Sequence, residues 1–127
     1  MGRVLGLGGV FFKSDDPAKL GAWYREWLGV PVEQYGAVLK YDDLPANGYN
    51  VWSPFKRDTK YIEPSDKEFM FNFIVDDVPG LLEKVRDGGG EVLPDIDQSE
   101  YGTFGWFIDP EGNKVELWEP PERPPSI

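Results

Sequence analysis

Apolar residues recur along the chain at two spacings, one suited to helices and one to strands, and the alternation between them marks out two similar halves. Leu20, Tyr24, Trp27 and Leu28 fall at i, i+4, i+7 and i+8, which makes one apolar face of a helix. Asp16 followed by Pro17 supplies its start, and Gly29 its stop. Upstream, residues 4–13 (Val-Leu-Gly-Leu-Gly-Gly-Val-Phe-Phe-Lys) read as a strand; downstream, short strands are predicted over 32–34, 37–41 and 49–55. Turns around Tyr35-Gly36 and over 44–48 would join them. Residues 56–67 are polar and read as a connecting loop. The pattern then restarts. Residues 69–75 are strand-like, Asp76-Asp77-Val78-Pro79 opens a helix, and Val78, Leu81, Leu82 and Val85 form its apolar face. Gly88-Gly89-Gly90 ends that helix, and strands follow over 91–93, 104–108 and 114–119, with 97–102 as a loop. Phe12, Trp27, Phe71 and Phe73 are expected in the core.

A shift of 61 residues lays Phe12 on Phe73, Asp16 on Asp77, Leu20 on Leu81 and Gly29 on Gly90. Each half is therefore a βαβββ module, about 4–55 and about 68–120, within a single α+β domain spanning 1–127. One helix covers one face of each sheet, leaving the other face to line a cavity. The Pro-rich end, 121–127, cannot pair in a sheet and is expected to be an exposed tail.

The last two strands flank a turn, Asp109-Pro110-Glu111-Gly112-Asn113, and form a hairpin. By alternation Val115 and Leu117 share one face of the outgoing strand, and Lys114, Glu116 and Trp118 the other. A carboxylate beside a tryptophan, opposite an aliphatic pair, is either an ordinary solvent-facing glutamate or a site residue.

Composition narrows the chemistry. With 127 residues there is room for one domain with a real core. There is no cysteine, which excludes disulfides and thiolate catalysis, and no histidine, which removes the usual neutral-pH base and transition-metal ligand. The net charge of −10 argues against nucleic acid and anionic membranes as partners. No apolar run reaches bilayer-spanning length and the start lacks a signal peptide's pattern, so a soluble, cytoplasmic protein is expected.

The two βαβββ halves, the Tyr24 and Leu28-Gly29 pair closing the first helix, and Asp109-Pro110-Glu111-Gly112-Asn113-x-x-Glu116-Leu117 together resemble the vicinal oxygen chelate superfamily. That group includes glyoxalase I, bleomycin resistance proteins, fosfomycin resistance proteins and extradiol dioxygenases. The resemblance covers about residues 4 to 120 and implies a cup-shaped mixed sheet, often completed across a homodimer. It places the superfamily's four metal-ligand positions at Gly9, Trp52, Met70 and Glu116. Only Glu116 among them can bind a hard cation, so a divalent metal is disfavoured and no cofactor is expected. The resemblance instead implies a cup walled by Phe11, Trp52, Met70, Trp106 and Trp118, with Asn72 nearby and Glu116 as polar anchor. Trp52, Trp106 and Trp118 read equally well as pocket or as core. Two functions follow: metal-independent binding of a small aromatic or amphipathic molecule, as in the bleomycin-resistance type, or a glyoxalase-type lyase or isomerase, or another enzyme of the superfamily, with Glu116 as general base and with or without a divalent metal.

Overall fold

A computed structural model describes residues 2–34 and 36–122 of the chain. Its elements run α1 (Pro17–Leu28), β1 (Val32–Glu33), β2 (Gly36–Ala37), a 3-10 turn (Tyr41–Asp43), β3 (Phe71–Ile74), α2 (Val78–Asp87), β4 (Glu91–Ser99), β5 (Gly102–Ile108) and β6 (Lys114–Glu119). Local signals set both helices. Asp16 caps α1 by accepting from the Lys19 amide, and Asp77 caps α2 by accepting from the Gly80 amide. Gly29 ends α1 in the left-handed region at φ 67°, a conformation that costs a glycine nothing.

The second half forms the expected βαβββ unit. Its sheet has the order β3-β6-β5-β4, with β3 parallel to β6 and the other pairs antiparallel, so the fold is α+β with a mixed sheet. Leu20 and Tyr24 of α1 and Val78, Leu82 and Val85 of α2 pack with Phe107, Val115 and Leu117 into the core. Gly105 on β5 lets α2 approach closely, since a Cβ there would lie 2.8 Å from Val78 and 2.9 Å from Leu82. The strands outrun their sequence reading. β4 continues to Ser99 and β5 begins at Gly102, so the loop expected over 97–102 shrinks to two residues.

The first half departs from expectation in its strands. Residues 4–13 and 49–55 carry no regular strand, and 37–41 contributes only the end of the two-residue β2. Gly6, Gly8 and Gly9 give the first segment no continuous side-chain face to bury, and Pro54 removes a ladder donor from the second. A strand without a packed partner gains too little to order its backbone. Phe12, expected in the core, is 44% exposed, although its ring still packs 4.6 Å from that of Phe71 at the outer edge of β3. The turn residue Tyr35 and the tail beyond Glu122 lie outside the described residues.

Candidate functional site

Residues on β3, β6 and β5 meet in register on the sheet face turned away from the helices. Glu116 pairs across the ladder with Asn72 on one side and Trp106 on the other, so alternation sends all three side chains to one face. The carboxylate is only 8% exposed, and three donors satisfy it. Asn72 Nδ2 donates to Oε1 at 2.7 Å; Trp106 Nε1 at 2.9 Å and the Tyr61 hydroxyl at 2.5 Å both donate to Oε2. Aromatic rings extend this floor. Phe104 stands nearly parallel to Trp106 and Trp118, with centroids 6.5 and 6.2 Å away, and Tyr49 meets Trp118 edge-on at 5.0 Å. The Trp118 indole donates to the Tyr101 carbonyl at 2.7 Å, which fixes the ring.

Residues 56–67, read from sequence as a plain connector, form a strap across this face. Lys114, two residues before Glu116 on the same side of β6, donates to the carbonyls of Tyr61 at 2.5 Å and Glu63 at 3.0 Å. Its ammonium also lies 5.2 Å over the Tyr61 ring and 5.9 Å over that of Trp106. Ser65 Oγ donates to the Gly112 carbonyl at 2.6 Å and pins the far end of the strap. Burial pushes the Lys114 pKa below its usual value, with Glu116 pulling it back up. Burial, and then the bond to Glu116, push the Tyr61 phenol well above the usual tyrosine range, so it stays a neutral donor.

The turn between β5 and β6 is a structural joint. Asp109 is buried and accepts from the Tyr24 hydroxyl at 2.7 Å, from the amides of Glu111 and Asn113, and from Asn113 Nδ2. Glu111 reaches the start of α1, accepting from the Ser14 hydroxyl and from the amides of Asp15 and Asp16. The Ser14 bond leads the contacts that hold the Glu111 carboxyl below its usual pKa. The closing motif thus contributes one carboxylate, Glu116, to the face beneath the strap, where Trp106 and Trp118 are also buried at 8% and 4% exposure, and uses the others to tie the hairpin to α1.

Of the residues expected at the cup, Trp106, Trp118, Asn72 and Glu116 come together. Met70 lies partly buried one residue before β3. Phe11 and Trp52 stand 95% and 78% exposed on the irregular segments of the first half, and Gly9 is exposed beside the Phe11 ring. Tyr61, Lys114 and Phe104 join the site without having been singled out for it. Lys114 was legible from alternation, and Phe104 sits two positions from Trp106; Tyr61 had only its aromatic character in a polar run as a signal. The donor set does not fit a divalent ion. Glu116 faces N–H and O–H groups, the nearest charge is an ammonium, and among the described residues no three Asp, Glu, His or Cys side chains converge.

Comparison with known proteins places the chain. A model of the glyoxalase-like domain matches residues 9–118. Proteins of Mycobacterium bovis and Mycobacterium tuberculosis named provisionally as the glyoxylase CFP32 are each 41% identical over 46 residues. Those residues make up 35% of this chain and 18% of theirs, so the match spans under a fifth of those relatives. A solved structure titled only as a conserved domain protein aligns with 82% of this chain and 89% of its own, at 14% identity and a TM-score of 0.48. Among the described residues no helix is long and apolar enough to cross a membrane. With the match running from residue 9 to Trp118, the chain belongs to the glyoxalase-like domain family of the vicinal oxygen chelate superfamily.

Proposed function

We propose that this glyoxalase-like protein binds a small aromatic or amphipathic molecule on the Glu116 face without a metal. The observation that carries the reading is the row of near-parallel rings, Trp106, Phe104 and Trp118, set beside one hydrogen-bonded carboxylate. Trp106 and Trp118 lie buried beneath Tyr61 and Tyr49, so a flat guest gains stacking and area burial there by displacing that cover, and the carboxylate gives it one polar point of orientation. A second copy of the chain completes the cup. The apolar side chains of the first half, among them Val4, Leu5, Phe11, Val51 and Trp52, are mostly exposed, and the outer edge of β3 has no strand partner among the described residues.

Isothermal titration with 2-naphthol, in EDTA and again with added manganese, tests this. Saturable binding with the same Kd in both, weakened by Trp118→Ala, supports it. Binding that appears only with manganese overturns it. The second reading, a glyoxalase-type lyase or isomerase with Glu116 as base, draws on the glyoxylase-named relatives and on the phenol set 2.5 Å from the carboxylate. Turnover in a glyoxalase assay, abolished by Glu116→Gln, would put that reading first.

A further inference from the structure

The Tyr61 side chain, 44% exposed, covers the Glu116 carboxylate from the solvent side and meets it as a guest would. Its hydroxyl donates to Glu116 Oε2. Its ring is met edge-on by Trp106 at 6.2 Å and by Phe55 at 5.7 Å, with the Lys114 ammonium over its face. Yet the ring belongs to a strap, not to the sheet. Residues 56–67 include no helix or strand, and most of them are exposed. The strap is fixed mainly by hydrogen bonds from Lys114 and Ser65. Segments with few buried apolar contacts open at low cost. Beside Tyr61 lies an open recess of about 330 Å³, lined also by Phe55, Lys56, Asp58 and Thr59.

Resting on the binding reading above, we propose that Tyr61 is a built-in plug and that the ligand replacing it is a neutral phenol or similar aryl alcohol. The donors on Glu116 are all uncharged: an amide, an indole and a phenol. Lys114 already places a positive charge beside the Glu116 carboxylate and offsets its pull on a cationic aromatic, whereas a neutral phenol O–H meets an acceptor without that opposing charge. Displacing the plug costs the guest part of its affinity, because the site is open only in the fraction of molecules with Tyr61 turned out.

The test is titration of p-cresol and of toluene into the wild-type chain and Tyr61→Ala. The expected result is p-cresol binding to Tyr61→Ala about tenfold or more tighter than to wild type, the scale of one lost hydrogen bond to a charged group. Toluene, lacking the hydroxyl, should bind the variant at least about tenfold more weakly than p-cresol does. Adding Glu116→Gln, which removes the charge and one of the two acceptor oxygens, should shrink that difference several-fold. Equal p-cresol affinity in wild type and variant overturns the plug while leaving the aromatic cup standing on its 2-naphthol test. Equal affinity of the variant for p-cresol and toluene overturns the phenol class, and p-cresol binding to neither protein overturns both parts of the proposal. Should circular dichroism show Tyr61→Ala unfolded, Tyr61→Phe keeps the ring and removes only its bond to Glu116. It should then bind p-cresol several-fold tighter than wild type, and an unchanged affinity overturns the plug.

Discussion

Asp109 and Glu116 stand on the two sides of one turn, and each accepts several hydrogen bonds, yet their neighbours assign them different work. Asp109 is enclosed by its own turn and by Tyr24, with nothing left to offer a ligand. Glu116 shares one oxygen between Trp106 and a tyrosine that arrives on the exposed, irregular strap. Tyr24→Phe should therefore lower unfolding stability by about 1.5–3 kcal/mol, the range for a hydrogen bond to a charged group, and leave 2-naphthol affinity unchanged. Glu116→Gln should do something else. The new amide turns N–H groups toward other donors, so the protein stays folded with about 1–3 kcal/mol less stability, and 2-naphthol binds about tenfold more weakly. Urea denaturation and titration on the same two variants separate the roles. Equal effects of both variants on binding would mean that Glu116 is only structural.

The helices were legible because the signals that set them are local: an aspartate cap, a proline within the first turn and a closing glycine, each within a few residues of the element. β3, β5 and β6 were legible from alternation, because β6 is held between two partners and its register matters there, whereas the outer strand β4 ran six residues beyond its sequence reading. The predicted strands at 4–13 and 49–55 failed, since a strand depends on a partner that residue pattern alone does not supply. The strap was hidden for a related reason. Tyr61 meets Glu116 across 55 residues, and no period in the sequence encodes such a contact. Lys114 is its main tether, held at some desolvation cost. Replacing it by methionine, which keeps the stem's packing, should leave global stability within about 1 kcal/mol while freeing the strap. Trypsin reads this directly at Arg57 and Lys60. Cleavage there should speed up in Lys114→Met while the sheet stays protected, and an unchanged rate would mean that Lys114 does not hold the strap.

The molecule's charge and its buried phenols together set its behaviour at high pH. Tyr24 and Tyr61 both have pKa values raised above the ordinary 10.0, first by burial and then by their carboxylate partners Asp109 and Glu116. Below about pH 10 these tyrosines are neutral folded or unfolded, and their contribution is fully present. Above it, the unfolded chain releases protons that the folded chain keeps, so stability falls as pH rises, by up to about 1.4 kcal/mol per pH unit for the buried Tyr24. Lys114 acts in the opposite sense. Its lowered pKa makes the unfolded chain the stronger proton binder between that value and the ordinary 10.5, so in this window it raises stability with pH and delays the decline. Self-repulsion from a net charge of −10, growing as lysines discharge, also favours unfolding, but it depends on no single tyrosine. Tyr24→Phe separates these effects. It lowers stability near neutral pH, yet between about pH 10 and 11 its urea midpoint should fall less steeply than that of the wild type, because one retained proton is gone. Parallel slopes in the two proteins would assign the alkaline loss to net charge and remove Tyr24 from the account.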